Sequence, residues 1–181
     1  YDDRQKLVFI VCDGLIKSSE DVEGRLTADI VSGMLSNKYD TDPKWYYAVA
    51  RGSKRANRSI ITTGEYKHNG RSVKTVLVRK VGNSTSDNGN RGKRDSQLIM
   101  MGWLQRVLFN ELLSELDYHL TVAVDHLMGC GGSVQSFDHV LMVDADTVLD
   151  PEAIPNMMMA MERDRRIMGL CGETKIMNQS E

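Results

Sequence analysis

His139-Val140-Leu141-Met142-Val143-Asp144-Ala145-Asp146-Thr147 is an apolar run of strand length that ends in two carboxylates one alanine apart. Continuous apolar runs are how buried parallel strands read, and open α/β sheets bind ligands at the carboxyl edge of such strands. On an extended backbone, residues two apart share a side. Asp144 and Asp146 are therefore predicted to converge, directly or through water, on one hard divalent cation, which would neutralise a nucleotide diphosphate. The competing reading makes Asp146 and Thr147 a polar turn without a metal, and a bare Asp-x-Asp does not choose between the two.

Other apolar runs end in the same way. Lys6-Leu7-Val8-Phe9-Ile10-Val11-Cys12 predicts a strand that stops at Asp13-Gly14, which places a carboxylate at the sheet edge proposed for Asp144. Ile167 to Cys171 predicts another buried strand, followed by Gly172-Glu173-Thr174-Lys175. Three predicted strands thus end in Asp13, Asp144 and Glu173. Between the first two lies a stretch of different character, Gly82 to Gln97, in which Arg91, Lys93 and Arg94 stand among glycines just before a helix that Asp95 or Ser96 can cap. A helix amino end flanked by cations and by glycines that let backbone N–H groups come close suits a phosphate oxyanion.

The remaining elements read as scaffold. Thr27 to Leu35 carries Ile30, Val31, Met34 and Leu35 at helical spacing. Ser59 to Tyr66 and Ser72 to Lys80 flank Asn69-Gly70 and predict a β-hairpin. Leu98, Met101, Leu104, Leu108, Leu112 and Leu116 recur every three or four residues and predict a long helix whose apolar stripe is core, with Tyr118 to Met128 either its extension or a second helix that Gly129-Cys130-Gly131-Gly132 ends. Met100, Met101 and Trp103 read as packing, and His119 and His126 as structural. Asp150-Pro151-Glu152 opens a further helix, with Met157, Met158 and Met161 packing.

Composition narrows the class. The 181 residues are 27% charged and 41% hydrophobic, so one core-bearing domain over 1–181 is expected. A net charge of -2 gives no electrostatic case for nucleic acid. Cys12, Cys130 and Cys171 form no Cys-x-x-Cys pair, which predicts neither a disulfide framework nor a zinc site and fits a reducing compartment. No apolar run approaches the roughly 20 residues that span a bilayer, and the first residues do not read as a secretory leader.

Gly89-Asn90-Arg91-Gly92-Lys93-Arg94-Asp95-Ser96-Gln97, Leu141 to Thr147, and Gly169-Leu170-Cys171-Gly172-Glu173-Thr174-Lys175 together closely resemble the chitin synthases, membrane-embedded family-2 glycosyltransferases. With Cys12-Asp13-Gly14 the motifs cover nearly the whole chain in the family's order. The resemblance implies an incomplete GT-A type α/β domain: a mixed, mostly parallel sheet flanked by helices, with a β-hairpin insertion. It implies transfer of N-acetylglucosamine from UDP-N-acetylglucosamine to the 4-hydroxyl end of a growing β-1,4 chitin chain of the cell wall, with inversion, processivity and Mg2+ or Mn2+. Asp144 and Asp146 match the metal pair, with Asp146 in direct contact. Asp13 matches a uridine contact, Lys93 and Arg94 a donor-side basic pair, and Glu173 and Thr174 the sugar side. The family's general base, its Gln-x-x-Arg-Trp acceptor motif and its membrane spans have no counterpart in 1–181, so this stretch is expected to bind donor without turning over. The resemblance also implies a parent at the cytoplasmic face of the plasma membrane and allows a homodimer. Asp144-x-Asp146-x-Val148 also resembles the first motif of haloacid-dehalogenase-type phosphatases, and a catalytically inactive nucleotide-binding fragment is a third reading.

Overall fold

The computed structural model describes residues 6–14, 16–17, 23–83, 89, 91–129, 134–173 and 175, which fall into two compact units, Tyr1–Asp138 and His139–Glu181. The first unit is built on the predicted hairpin. Asn69 and Gly70 hold φ of 47° and 75°, the left-handed pair that a two-residue turn needs. They join β4 (Ala56–His68) to β5 (Arg71–Lys80) in a ladder running from Ser59↔Lys80 to His68↔Arg71. On its far side β5 pairs in parallel with β1 (Leu7–Cys12). On its other side β4 pairs with β2 (Leu35–Asp40) and β3 (Lys44–Tyr47), both antiparallel.

The α/β class with a mixed sheet flanked by helices is as expected. Its balance differs from the mostly parallel expectation, since only β1 with β5 is parallel, and the hairpin forms the centre of the sheet. The reason is local: a tight turn can only join antiparallel neighbours.

Alternation along the strands gives each face its role. Leu7, Phe9 and Val11 of β1, Val76 and Val78 of β5, Ile61 of β4 and Tyr46 of β3 share the face that carries the main core. Two helices cover it, α2 (Gly92–Leu108) and α3 (Glu115–Met128). Trp103 of α2 is 2% exposed, stacks on Phe9 with ring centroids 5.7 Å apart, and donates its indole N–H to Thr121 Oγ1 at 3.0 Å. Near the opposite face, α1 (Thr27–Gly33) is tied to β5 by the Arg79–Asp29 ion pair at 2.6 Å.

The single long helix expected from Leu98 to Leu116 is two helices. Asn110 turns left-handed at φ 54°, and Ser114 starts α3 with a capping box in which its Oγ accepts from Asp117 N while its N–H donates to Asp117 Oδ2. Arg106 closes the corner by gripping Asp117 bidentately at 2.7 and 2.9 Å. The break rotates the buried face. Leu98, Met101, Leu108 and Leu112 of the expected stripe are exposed and Leu116 is buried, while Ile99 and Trp103 take the core side of α2. The spacing continued through a turn that the Ser-x-x-Asp signal marks.

In the second unit, α4 (Ala153–Arg163) follows Asp150, whose Oδ1 accepts from Glu152 N at 2.9 Å, and Met157, Met158 and Met161 are half-buried. The strands expected at 139–143 and 167–171 do not form among the described residues, and Val140 to Val143 are 43–54% exposed. A buried parallel strand exists only where neighbours accept its ladder hydrogen bonds, and neither segment is laddered to another. Among the described residues, no helix is long and apolar enough to cross a membrane. Trp103→Ala is expected to cost about 3–5 kcal/mol in urea unfolding, while Leu112→Ala, at a side chain 95% exposed, should fall within about 0.5 kcal/mol of wild type.

Candidate functional site

Four of the strands bring a polar residue to one edge of the sheet. The row Leu7, Phe9, Val11 is followed at the same parity by Asp13, and the row Val76, Val78 by Lys80. Antiparallel β4 enters at this edge with Asn57 and Ser59, opposite Tyr46 and Lys80 respectively. The apolar rows thus become polar together, where α2 begins.

Lys80 is fully buried. Its Nζ forms an ion pair with Asp13 Oδ1, donates to Ser96 Oγ at 2.9 Å and to the Gly92 carbonyl at 3.3 Å, and lies 3.5 Å from Asp95 Oδ2. The Asp13 contact is ionic and lacks hydrogen-bond alignment. Four oxygens thereby replace the water that a buried ammonium has lost.

Asp95 was expected to cap α2 and does something else. The helix starts at Gly92 with Arg91 at the cap position and no side-chain cap bond, and Asp95 is buried one turn in. Its Oδ2 accepts from Tyr46 Oη at 2.9 Å and its Oδ1 from Val49 N at 2.7 Å. Asn57 Nδ2 in turn donates to Tyr46 Oη at 2.8 Å. Burial, and then the adjacent Asp95 carboxylate, push the Tyr46 phenol far above its ordinary range. Burial, reinforced by Asp13, also raises the Cys12 thiol; Cys12 and Cys171 are free cysteines.

The glycines of the basic loop serve the scaffold as well as any ligand. A Cβ at Gly89 would sit 2.5 Å from Gly82 N and 2.8 Å from the Lys80 carbonyl, so the loop can pass the end of β5 only with no side chain there. Gly92, at φ 77°, meets no atom where its Cβ would be and opens the helix. Lys93 and Arg94 follow it in the first turn, both exposed.

The structure therefore brings Asp13 and the amino end of α2, with Lys93 and Arg94, to one sheet edge. Asp144, Asp146 and Glu173 are exposed residues of the second unit, and Thr174 lies outside the described residues. Thr147 N donates to the Asp144 carbonyl at 3.0 Å, so a turn follows Asp144. Among the described residues, no three His, Cys, Asp or Glu side chains form a cluster that could hold a metal. Sequence reasoning missed Lys80, Tyr46 and Asn57. A signal was present in Lys80, which shares parity with Val76 and Val78 and so had to point inward.

Tyr46→Phe removes the hydroxyl between Asp95 and Asn57 and should cost about 1–3 kcal/mol near neutral pH. The wild-type tyrosine stays protonated when folded, whereas in the unfolded chain it ionises near its ordinary value of about 10. Its contribution is thus fully present below about pH 10 and is lost as pH climbs from there toward the raised folded value. Urea unfolding at about pH 8 and about pH 10.5 should show the gap between wild type and Tyr46→Phe narrowing at the higher pH.

Comparison with known proteins gives the family of the chain. The sequence model of the chitin synthase family matches residues 1–181. The chain is 40% identical to chitin synthase 4 of Neurospora crassa over 196 aligned positions, covering 99% of this chain and 16% of that protein. It is 38% identical to chitin synthase 3 of Candida albicans and to chitin synthase 3 of Saccharomyces cerevisiae, covering 100% of this chain and 16% and 17% of those proteins. The chain therefore spans about a sixth of the length of these relatives. No solved structure matches it. A match along the whole chain decides against the phosphatase alternative drawn from Asp144-x-Asp146-x-Val148. The chain belongs to the chitin synthase family.

Proposed function

We propose that residues 1–181 are the donor-binding part of a processive, inverting chitin synthase, which transfers N-acetylglucosamine from UDP-N-acetylglucosamine to the 4-hydroxyl end of a growing β-1,4 chain. The observation that carries this reading is the meeting of Asp13 with the cationic amino end of α2 at the carboxyl edge of β1 and β5. Exposed Lys93 and Arg94 donate charge-assisted hydrogen bonds to the diphosphate, aided by the partial positive charge of the helix amino end. Asp13 accepts from the uridine part. Glu173 and Thr174 serve the sugar.

Asp144 and Asp146 offer hard oxygen donors on an exposed turn, the set that Mg2+ or Mn2+ accepts when phosphate oxygens and water complete its shell. When bound, such an ion acts as a Lewis acid that stabilises charge on the departing UDP. The acceptor hydroxyl needs a general base, and residues outside 1–181 supply it together with the acceptor contacts. In this reading the stretch alone holds donor without turnover, and the parent protein works at the cytoplasmic face of the plasma membrane.

Calorimetry on the intact protein with UDP and Mn2+ provides the test. Binding should be metal-dependent, and Asp144→Asn with Asp146→Asn should remove that dependence. Lys93→Ala with Arg94→Ala should weaken UDP about tenfold or more. Heat unchanged by the aspartate pair sinks the metal assignment, and affinity unchanged by the cation pair sinks the donor edge.

A further inference from the structure

The Lys80 ammonium is fully buried and ringed by four protein oxygens, so it presents no surface to a donor phosphate. What it joins is informative. Two of its partners, Gly92 and Ser96, belong to the first turn of α2, which also carries Lys93 and Arg94, and a third, Asp95, lies between them in sequence. The fourth is Asp13, at the end of β1. One side chain thus ties the turn that offers cations to the strand end that offers a carboxylate.

Stability alone is a poor account of this arrangement. Taking an ammonium and the Asp95 carboxylate out of water, and Asp13 part of the way, is expensive, and apolar replacements of buried ion clusters are often neutral or stabilising. What an apolar cluster could not do is set the place of the α2 amino end relative to Asp13, because directional hydrogen bonds, here of 2.9 and 3.3 Å to Ser96 and Gly92, fix a helix terminus to that degree. Gly89, pressed against the Lys80 backbone, holds the incoming loop at the same point.

We propose that Lys80 is the positioning residue of the donor site. It does not touch the nucleotide; it sets where Lys93 and Arg94 meet the diphosphate relative to Asp13. The inference rests on the donor-site reading above. It also predicts that Lys80 and Lys93 act as one unit, so their effects on UDP affinity do not multiply.

Lys80→Met alone would strand the buried Asp95 carboxylate beside half-buried Asp13, so the variant to use is Lys80→Met with Asp95→Asn, which leaves the formal charge of the three groups at -1. The amide that replaces the Asp95 carboxylate carries no charge to compensate, and its carbonyl can still accept from Val49 N. In the intact protein this pair should fold, weaken UDP about tenfold and raise KM for UDP-N-acetylglucosamine in step, with kcat within about twofold of wild type. Adding Lys93→Ala should weaken UDP little beyond the larger single effect. A folded pair with wild-type UDP affinity, or effects that multiply with those of Lys93→Ala, overturns the proposal. Should the pair not fold, Ser96→Ala removes one Lys80 partner without touching charge and should weaken UDP about two- to threefold, again without multiplying with Lys93→Ala; unchanged affinity there overturns it equally. Failure of the donor reading looks different: Lys93→Ala itself then leaves UDP binding as in wild type.

Discussion

An ammonium group can leave water only where oxygens take water's place, and the first unit of this chain is arranged around one such group. Lys80 sits at the end of the central strand β5, and its ring of oxygens is drawn from β1, from the turn into α2 and from α2 itself. The apolar part of the same face needs only to exclude water, a demand that many packings satisfy. The polar end is less forgiving, because losing any oxygen partner leaves charge uncompensated in a low-dielectric interior. The position of the α2 amino end therefore follows from charge satisfaction more than from the hydrophobic contacts of Ile99 and Trp103 further along the helix.

How legible these features were depended on how local their causes are. The β4–β5 hairpin was readable because Asn69-Gly70 specifies its own turn and the turn specifies its register. Helix α1 and strand β1 were readable for the same reason, as each declares its period within a few residues. The α2–α3 corner was misread because leucines at helical spacing run across Asn110 to Ser114, although the capping box Ser114-x-x-Asp117 was there to be seen. Apolar runs at 139–143 and 167–171 state a tendency to be buried. A run cannot state which neighbour will accept its ladder hydrogen bonds, and among the described residues none does.

The candidate site divides along the same line. Asp13 and the basic turn could be found because a carboxylate after an apolar run and cations among glycines are visible one segment at a time. Parity marked Lys80 as inward-pointing but could not name its partners, and nothing local marked Tyr46 and Asn57, because the role of all three lies in a network across three strands and a helix. Asp95 shows how the two kinds of reasoning diverge. Its place near a helix start suggested a cap, yet tertiary partners, Tyr46 Oη and Val49 N, hold its carboxylate instead. Local propensity yields where a buried polar group must be satisfied from a distance.

That network also sorts the cations of this edge by task. A fully buried lysine ringed by protein oxygens has no surface to offer an incoming phosphate, and it cannot exchange partners without exposing a bare charge. Lys93 and Arg94, by contrast, are exposed, and they stand at a helix amino end where backbone dipoles already favour an anion. An anion arriving there would meet exposed cations on a turn that a buried charge keeps from shifting. Mobile cations alone would order themselves only on binding, at an entropic cost of roughly 0.5–1.5 kcal/mol for each long side chain. Placing one cation inside and two outside separates the work of fixing the site from the work of holding the ligand.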